Sequence, residues 1–260
     1  MARFQLGPVW SAYEAERDLL RAWLADLPAS SWSQPSVLQG WTVLQLAVHV
    51  AKVGGGGAAV LEAGASIERP VSLGDYTGAW AEAAPAIATI AVDAAEGLTP
   101  AGVLQVWDDG NAALTRAIAG LADDLVVRGP RGPLRVGDFL ATRVNELVVH
   151  AGDLFRSLPA LEAAPVDKKA LAVSCRMLAT ILSDRNPGHS VEVRVPPYAA
   201  VQVIEGPRHT RGTPANVVET DPETWVLIAA GRMPYADAVA AGRVAASGLR
   251  ADLGPYLPLF

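Results

Sequence analysis

The chain has 260 residues, and at about 150 residues per domain that length allows one or two domains. Its 27 Asp and Glu outnumber 21 Lys and Arg, a net charge of −6, so it lacks the positive field that draws proteins to nucleic acid or anionic membranes. Hydrophobic residues make up 51% and charged ones 18%, which supplies a core and excludes a disordered chain.

Residues 11–25 set Ala12, Ala15, Leu19, Ala22 and Trp23 among Glu14, Arg17, Asp18 and Arg21 at three- and four-residue spacing. That pattern predicts an amphipathic helix, closed by Pro28. A second helix opens after Gly40-Trp41, with Thr42 as N-cap and Gln45 three residues on, a capping box. Residues 44–51 are apolar on nearly every side, so this helix is expected to be buried. Glycines 54–57 follow, each costing a helix roughly 1 kcal/mol relative to alanine. The helix is expected to end there or to be held irregular by tertiary contacts.

Residues 75–95 and 100–121, rich in Ala, Leu, Ile and Val, predict two further helices. Residues 128–133, Arg-Gly-Pro-Arg-Gly-Pro, read as a turn cluster. Residues 136–158 form the last helix of this half. Helices of this length with short connections describe an up-down bundle.

The character changes after Leu158. Residues 159–165 read as a linker, and 167–182 as a helix. Residues 190–195 alternate as a half-buried strand does; 199–204, 216–220 and 244–246 predict further strands. Asp221-Pro222 opens a helix running to Gly231, with Asp as N-cap and Pro at the first helical position, and 234–241 is another. The expected class is therefore α plus α+β: a four-helix bundle over 1–158, then a small α+β domain over 166–260.

No stretch reaches the roughly 18 uninterrupted apolar residues of a membrane span. The first eight residues do not resemble a secretory signal, and a lone cysteine, Cys175, excludes an internal disulfide framework. The expectation is a cytoplasmic protein with no membrane span and no nucleic-acid partner. Cys175 lies in a predicted amphipathic helix and reads as core. No phosphate-cradling glycine loop, G-x-S-x-G elbow or C-x-x-C is present.

The residues that carry chemistry lie in Asn145-Glu146-Leu-Val-Val-His150-Ala-Gly-Asp153. Glu146 and His150 are one helical turn apart on one face, and Asp153 continues that stripe. The buried second helix carries one ionisable side chain along its apolar run, His49. If the bundle joins the two helices, His49, Glu146 and His150 form a two-histidine, one-carboxylate set aimed into the core. Such a set suits zinc or another divalent ion, with a fourth position left for water or substrate. Asp153 would hold a ligand histidine from behind. The plain alternatives are a surface Glu–His pair and a satisfied core histidine.

Gly40-Trp-Thr-Val-Leu-Gln-Leu-Ala-Val-His49 resembles the motif that opens the second helix in the mycothiol-dependent maleylpyruvate isomerase family. The 145–153 segment is similar to that family's later E-x-x-x-H-x-x-D motif. The resemblance implies a DinB-like metal-binding four-helix bundle in which His49, Glu146 and His150 bind zinc. The second half resembles the sterol-carrier-like domain fused C-terminally in the same family, through 221–232 and 238–248, and through 195–201 and 205–214 its "sterol carrier family protein" subgroup. Mycothiol would be the thiol cosubstrate, and a small electrophile the substrate of an isomerase or S-transferase. The family also implies an arginine of the C-terminal domain near the metal. Arg208 and Arg211, in a Gly/Pro-rich loop with His209, could grip a carboxylate or be a solvated turn. Arg232 could serve there or satisfy the last carbonyls of a helix. The rival reading is a lipid or apolar-ligand carrier whose metal site is structural or vestigial. The sequence names neither substrate nor oligomeric state.

Overall fold

The computed structural model describes residues 4–78, 80–162, 166–206 and 216–260. In chain order, the first part holds α1 (Leu6–Ala25), α2 (Val43–Glu62), α3 (Leu73–Thr77), α4 (Trp80–Ala95), α5 (Pro100–Ile118), the strands β1 (Val126–Gly129) and β2 (Gly132–Arg135), and α6 (Val136–Ser157). The second part holds α7 (Lys168–Arg185), β3 (Val191–Val195), β4 (Ala199–Val203), β5 (Val217–Thr220), α8 (Pro222–Ala229), α9 (Tyr235–Ala240) and β6 (Val244–Ser247). A helical bundle is thus followed by a small helix-plus-sheet domain. Contacts group the chain into two compact units: Ala2–Pro70 with Glu82–Ala170, and Val71–Ala81 with Leu171–Phe260.

In the first unit α1, α2, α5 and α6 pack on one another. The capping box at Thr42 forms, its hydroxyl accepting from the Gln45 N–H at 3.3 Å while the Gln45 side chain accepts from the Thr42 N–H at 2.8 Å. The helix it opens does not stop at the glycines but runs straight through them. The reason is α5: a Cβ on Gly110 would lie 2.8 Å from the Gly55 nitrogen, and a Cβ on Gly54 would lie 2.8 Å from Asn111 Oδ1. The glycines let two backbones touch, and that packing offsets their poor helix propensity. By length and composition alone α2 could cross a membrane, yet 56% of its apolar window is buried within the protein. It is the bundle's core helix.

The face of α1 also differs from the one its sequence suggests. The buried stripe is Val9, Ala12, Tyr13, Glu16, Leu20 and Leu24, while Leu19 is exposed. Leu20 and Leu24 offer more apolar area than Ala15 and Ala22, so they set the rotation and carry Glu16 into the core. The 128–133 cluster is the turn of a hairpin: β1 and β2 pair antiparallel from Val126↔Arg135 to Gly129↔Gly132. The stretch 75–95 is two helices, not one.

In the second unit the strands run in the order β4-β3-β5-β6, with β3 antiparallel to β4 and parallel to β5, and β5 antiparallel to β6. Val191, Val193 and Val195 point into the core, while Glu192 and Arg194 sit on the other face. Trp225 of α8 is fully buried and donates its indole N–H to the Cys175 carbonyl at 3.2 Å. Burial pushes the Cys175 thiol up to about 12, which makes it inert. The short α3, with Ser72 as its cap, docks at the end of α7. Its Gly74 N–H donates to Asp184 Oδ2 at 3.1 Å, and Arg185 donates to the Gly74 carbonyl at 3.1 Å and to Thr77 Oγ1 at 2.8 Å.

Candidate metal centre

The helix α6 is held by a buried apolar stripe that includes Leu140, Val144, Leu147, Val148, Ala151 and Leu154. Glu146 and His150 sit one turn apart between those positions, and α2, packed alongside, delivers His49. The Glu146 Oε2 atom lies 3.3 Å from His150 Nε2 and 3.6 Å from His49 Nε2. One ligand atom from each of the three residues falls within 4.8 Å of the others. The two imidazole rings meet edge to face, 4.8 Å apart at their centroids.

These distances fit a divalent ion. Ligands about 2.0–2.1 Å from a tetrahedral zinc stand about 3.3 Å from one another, close to the two separations from Glu146. The side chains of His49, Glu146 and His150 keep 18%, 20% and 14% exposure. The cluster is thus half-buried, neither sealed in the core nor free in solvent.

The charges of the cluster are strongly coupled. Burial by itself favours a protonated Glu146, but the His150 and His49 imidazoles beside it and the charge of Arg143 hold its carboxyl well below the usual carboxylate range. Burial disfavours a charged His150, yet Asp153 and then Glu146 overcome it and raise that imidazole to about 9. The fully buried Asp153 takes the His150 Nδ1 proton through Oδ2 at 2.8 Å, and its Oδ1 accepts from Arg156 at 2.5 Å. With Nδ1 donating to a carboxylate, Nε2 is the nitrogen left to face Glu146 and His49, and it offers a lone pair once the imidazolium proton has left.

Among the residues singled out from the sequence, the structure brings together His49, Glu146, His150 and Asp153. Arg232 lies beyond the C-terminus of α8, where its guanidinium donates to the Ala230 carbonyl at 2.8 Å. Arg208 and Arg211 lie outside the described residues. Sequence reading passed over Arg143, whose Nη2 stands 4.0 Å from Glu146 Oε1, and Arg156 behind Asp153. Each is three residues from its partner on α6, a spacing that helical geometry makes adjacent. It also passed over Trp41 as part of the site, although its ring lies edge-on to His49 at 5.5 Å.

A helical bundle that turns two histidines and a glutamate toward one point, joined to a small helix-plus-sheet domain, defines a recognisable class. The family model for the mycothiol maleylpyruvate isomerase N-terminal domain matches residues 13–155, and that for the bacterial SCP ortholog matches residues 167–259. The first match spans more than half of the sequence, and the chain belongs to that family. In fold it is similar to the crystal structure of the mycothiol-dependent maleylpyruvate isomerase and to that of a histidine-to-alanine mutant. Each has a TM-score of 0.64 at 17% identity, covering 95% of this chain and 96% of the other. A comparison with curated proteins finds no match.

Proposed function

We propose that this chain is a cytoplasmic, zinc-dependent enzyme that uses mycothiol to isomerise a small electrophilic substrate. The observation that carries the reading is the convergence of His49, Glu146 and His150, with Asp153 behind, inside a bundle of this family. Zinc held there would supply a Lewis acid that brings a coordinating thiol to its thiolate near neutral pH.

The residues divide the remaining work. Asp153 fixes the His150 tautomer and ring plane. The two imidazoles and the ionised Glu146 would hold the ion through one atom each, and thiol and substrate would meet it on the side these three residues do not occupy. The thiolate of mycothiol would add to one carbon of an activated alkene, forming a C–S bond as the π pair moves onto the activating carbonyl. The former double bond then rotates as a single bond. Return of the electron pair expels the thiolate and restores the alkene in its other geometry, with no net change of atoms. An S-transferase would use the same thiolate and retain the C–S bond in its product.

Elemental analysis of the purified protein beside its His49→Ala variant tests the assignment, with mycothiol-dependent turnover measured on both. About one equivalent of zinc and turnover in the wild type, with both lost in the variant, is the expected result. Metal content and thiol-dependent turnover that survive the substitution would overturn the reading. Zinc that reaches neither protein after reconstitution would turn attention to an apolar-ligand carrier.

A further inference from the structure

The two oxygens of Glu146 face different partners. Oε2 faces both histidine Nε2 atoms, while Oε1 faces the Arg143 guanidinium at 4.0 Å. That separation is too long for a hydrogen bond, but at such a half-buried position the charge still acts strongly.

Arg143 itself is well held. Its guanidinium lies over the ring of Phe139 at 5.4 Å from the centroid, and its Nε donates to Thr142 Oγ1 at 3.1 Å. The ring of Phe139 is 1% exposed, and Thr142 is fully buried and anchored in turn, donating to the Phe139 carbonyl at 2.6 Å. A long side chain fixed on two sides, with 17% of it exposed, is a positioned charge, unlike a surface cation that swings freely.

We propose that Arg143 is a positioning residue that keeps Glu146 a one-oxygen ligand. Carboxylates bind metals through one oxygen or through both. With Oε1 drawn toward a guanidinium, only Oε2 is offered to the ion, and the second oxygen does not fill the position meant for the thiol. The same positive charge draws electron density from the carboxylate and leaves the ion a stronger Lewis acid, at some loss of affinity. This inference rests on the metal-centre reading above.

The test uses cobalt(II) as a spectroscopic stand-in for zinc in the full chain, comparing wild type with Arg143→Met, Arg143→Lys and Thr142→Val. Wild type is expected to show the intense visible absorption of four-coordinate cobalt. In Arg143→Met the band should weaken as Glu146 closes on the ion with both oxygens, and zinc competition against a chelator should show binding about threefold to tenfold tighter. Arg143→Lys, which restores the charge, should return most of the wild-type band. Thr142→Val, which removes the acceptor of the Arg143 Nε while keeping the arginine, should show a smaller change in the same direction and serves if Arg143→Met does not fold. A wild-type spectrum and affinity in Arg143→Met, or looser binding with an unchanged spectrum, overturns the positioning role alone. A wild-type protein that takes up no cobalt overturns the metal centre and this inference with it.

Discussion

Glu16 and Glu146 are two largely buried carboxylates of the same bundle, and their surroundings drive them in opposite directions. Glu16, on the core face of α1, is 2% exposed and accepts the Asp167 N–H at 2.8 Å. Burial pushes its carboxyl up to about 7 despite that bond. Glu146, less deeply buried with 20% of its side chain exposed, has two imidazoles and a guanidinium around it and is held well below the usual range. Burial alone therefore does not make a metal ligand. It makes a neutral acid, and cationic donors are what convert a buried glutamate into a standing negative charge.

The largest effect that follows is the pH dependence of metal uptake. In the metal-free protein His150 is charged up to about pH 9, and its proton must leave before Nε2 can bind an ion. Zinc affinity should fall about tenfold per pH unit below that point, with about one proton released per ion bound. Calorimetry in buffers of different ionisation enthalpy would read this, and an affinity flat between pH 6 and 9 would contradict it. The same shift has a consequence for the metal-free fold. Because the folded pKa is raised from 6.5, its stabilisation is fully present below 6.5 and is lost as pH rises through about 9.

A smaller effect concerns Glu16. Its folded pKa lies above the ordinary glutamate value of 4.5, so the wild type loses stability as pH rises from 4.5 through about 7. Glu16→Gln keeps an acceptor for the Asp167 N–H and has nothing to ionise. Relative to wild type the variant should gain up to about 3 kcal/mol between pH 4.5 and pH 8. Denaturant titrations at the two pH values would show it, and equal differences at both would place the carboxylate in a wetter environment than its burial indicates.

The smallest effect is expected on the open face of the sheet. There Arg194 pairs with Glu192 at 2.6 Å and Glu219 at 3.7 Å, with 35% of the arginine side chain in solvent. These charges are as close as those of the His49, Glu146 and His150 cluster, but water screens them. Arg194→Ala should move Tm by less than about 2 °C and leave metal content unchanged. A larger shift would mean that exposed pairing matters here as much as buried pairing.

Much of this was legible in the sequence because it depends on local spacing. The Thr42–Gln45 capping box, the i, i+4 relation of Glu146 and His150, and the alternation of Val191, Val193 and Val195 each need only a few neighbouring residues. The readings that needed correction depend on a distant partner. Four glycines look like a helix end until Gly110 is seen against Gly55. The face of α1 looked like its alanines until the larger Leu20 and Leu24 set the rotation. Arg143 was within reach of the same three-residue rule that found Asp153, but an arginine on a helix usually reads as a solvated charge. Only its place over Phe139 and beside Glu146 distinguishes it.

The docking of Val71–Ala81 with Leu171–Phe260 bears on how the molecule is made. During synthesis, α3 emerges long before the helix that receives it, since Gly74 and Asp184 are 110 positions apart. Arg185 also bonds the Leu259 carbonyl, so its contacts are complete only when almost the whole chain has left the ribosome. Closing a loop of that length costs about 4 kcal/mol of chain entropy, which argues for late completion of the second unit. A fragment beginning at the linker would lack Gly74, the partner of Asp184, and the Gly74 and Thr77 acceptors of Arg185, so an expression fragment of this half needs 71–81 supplied with it.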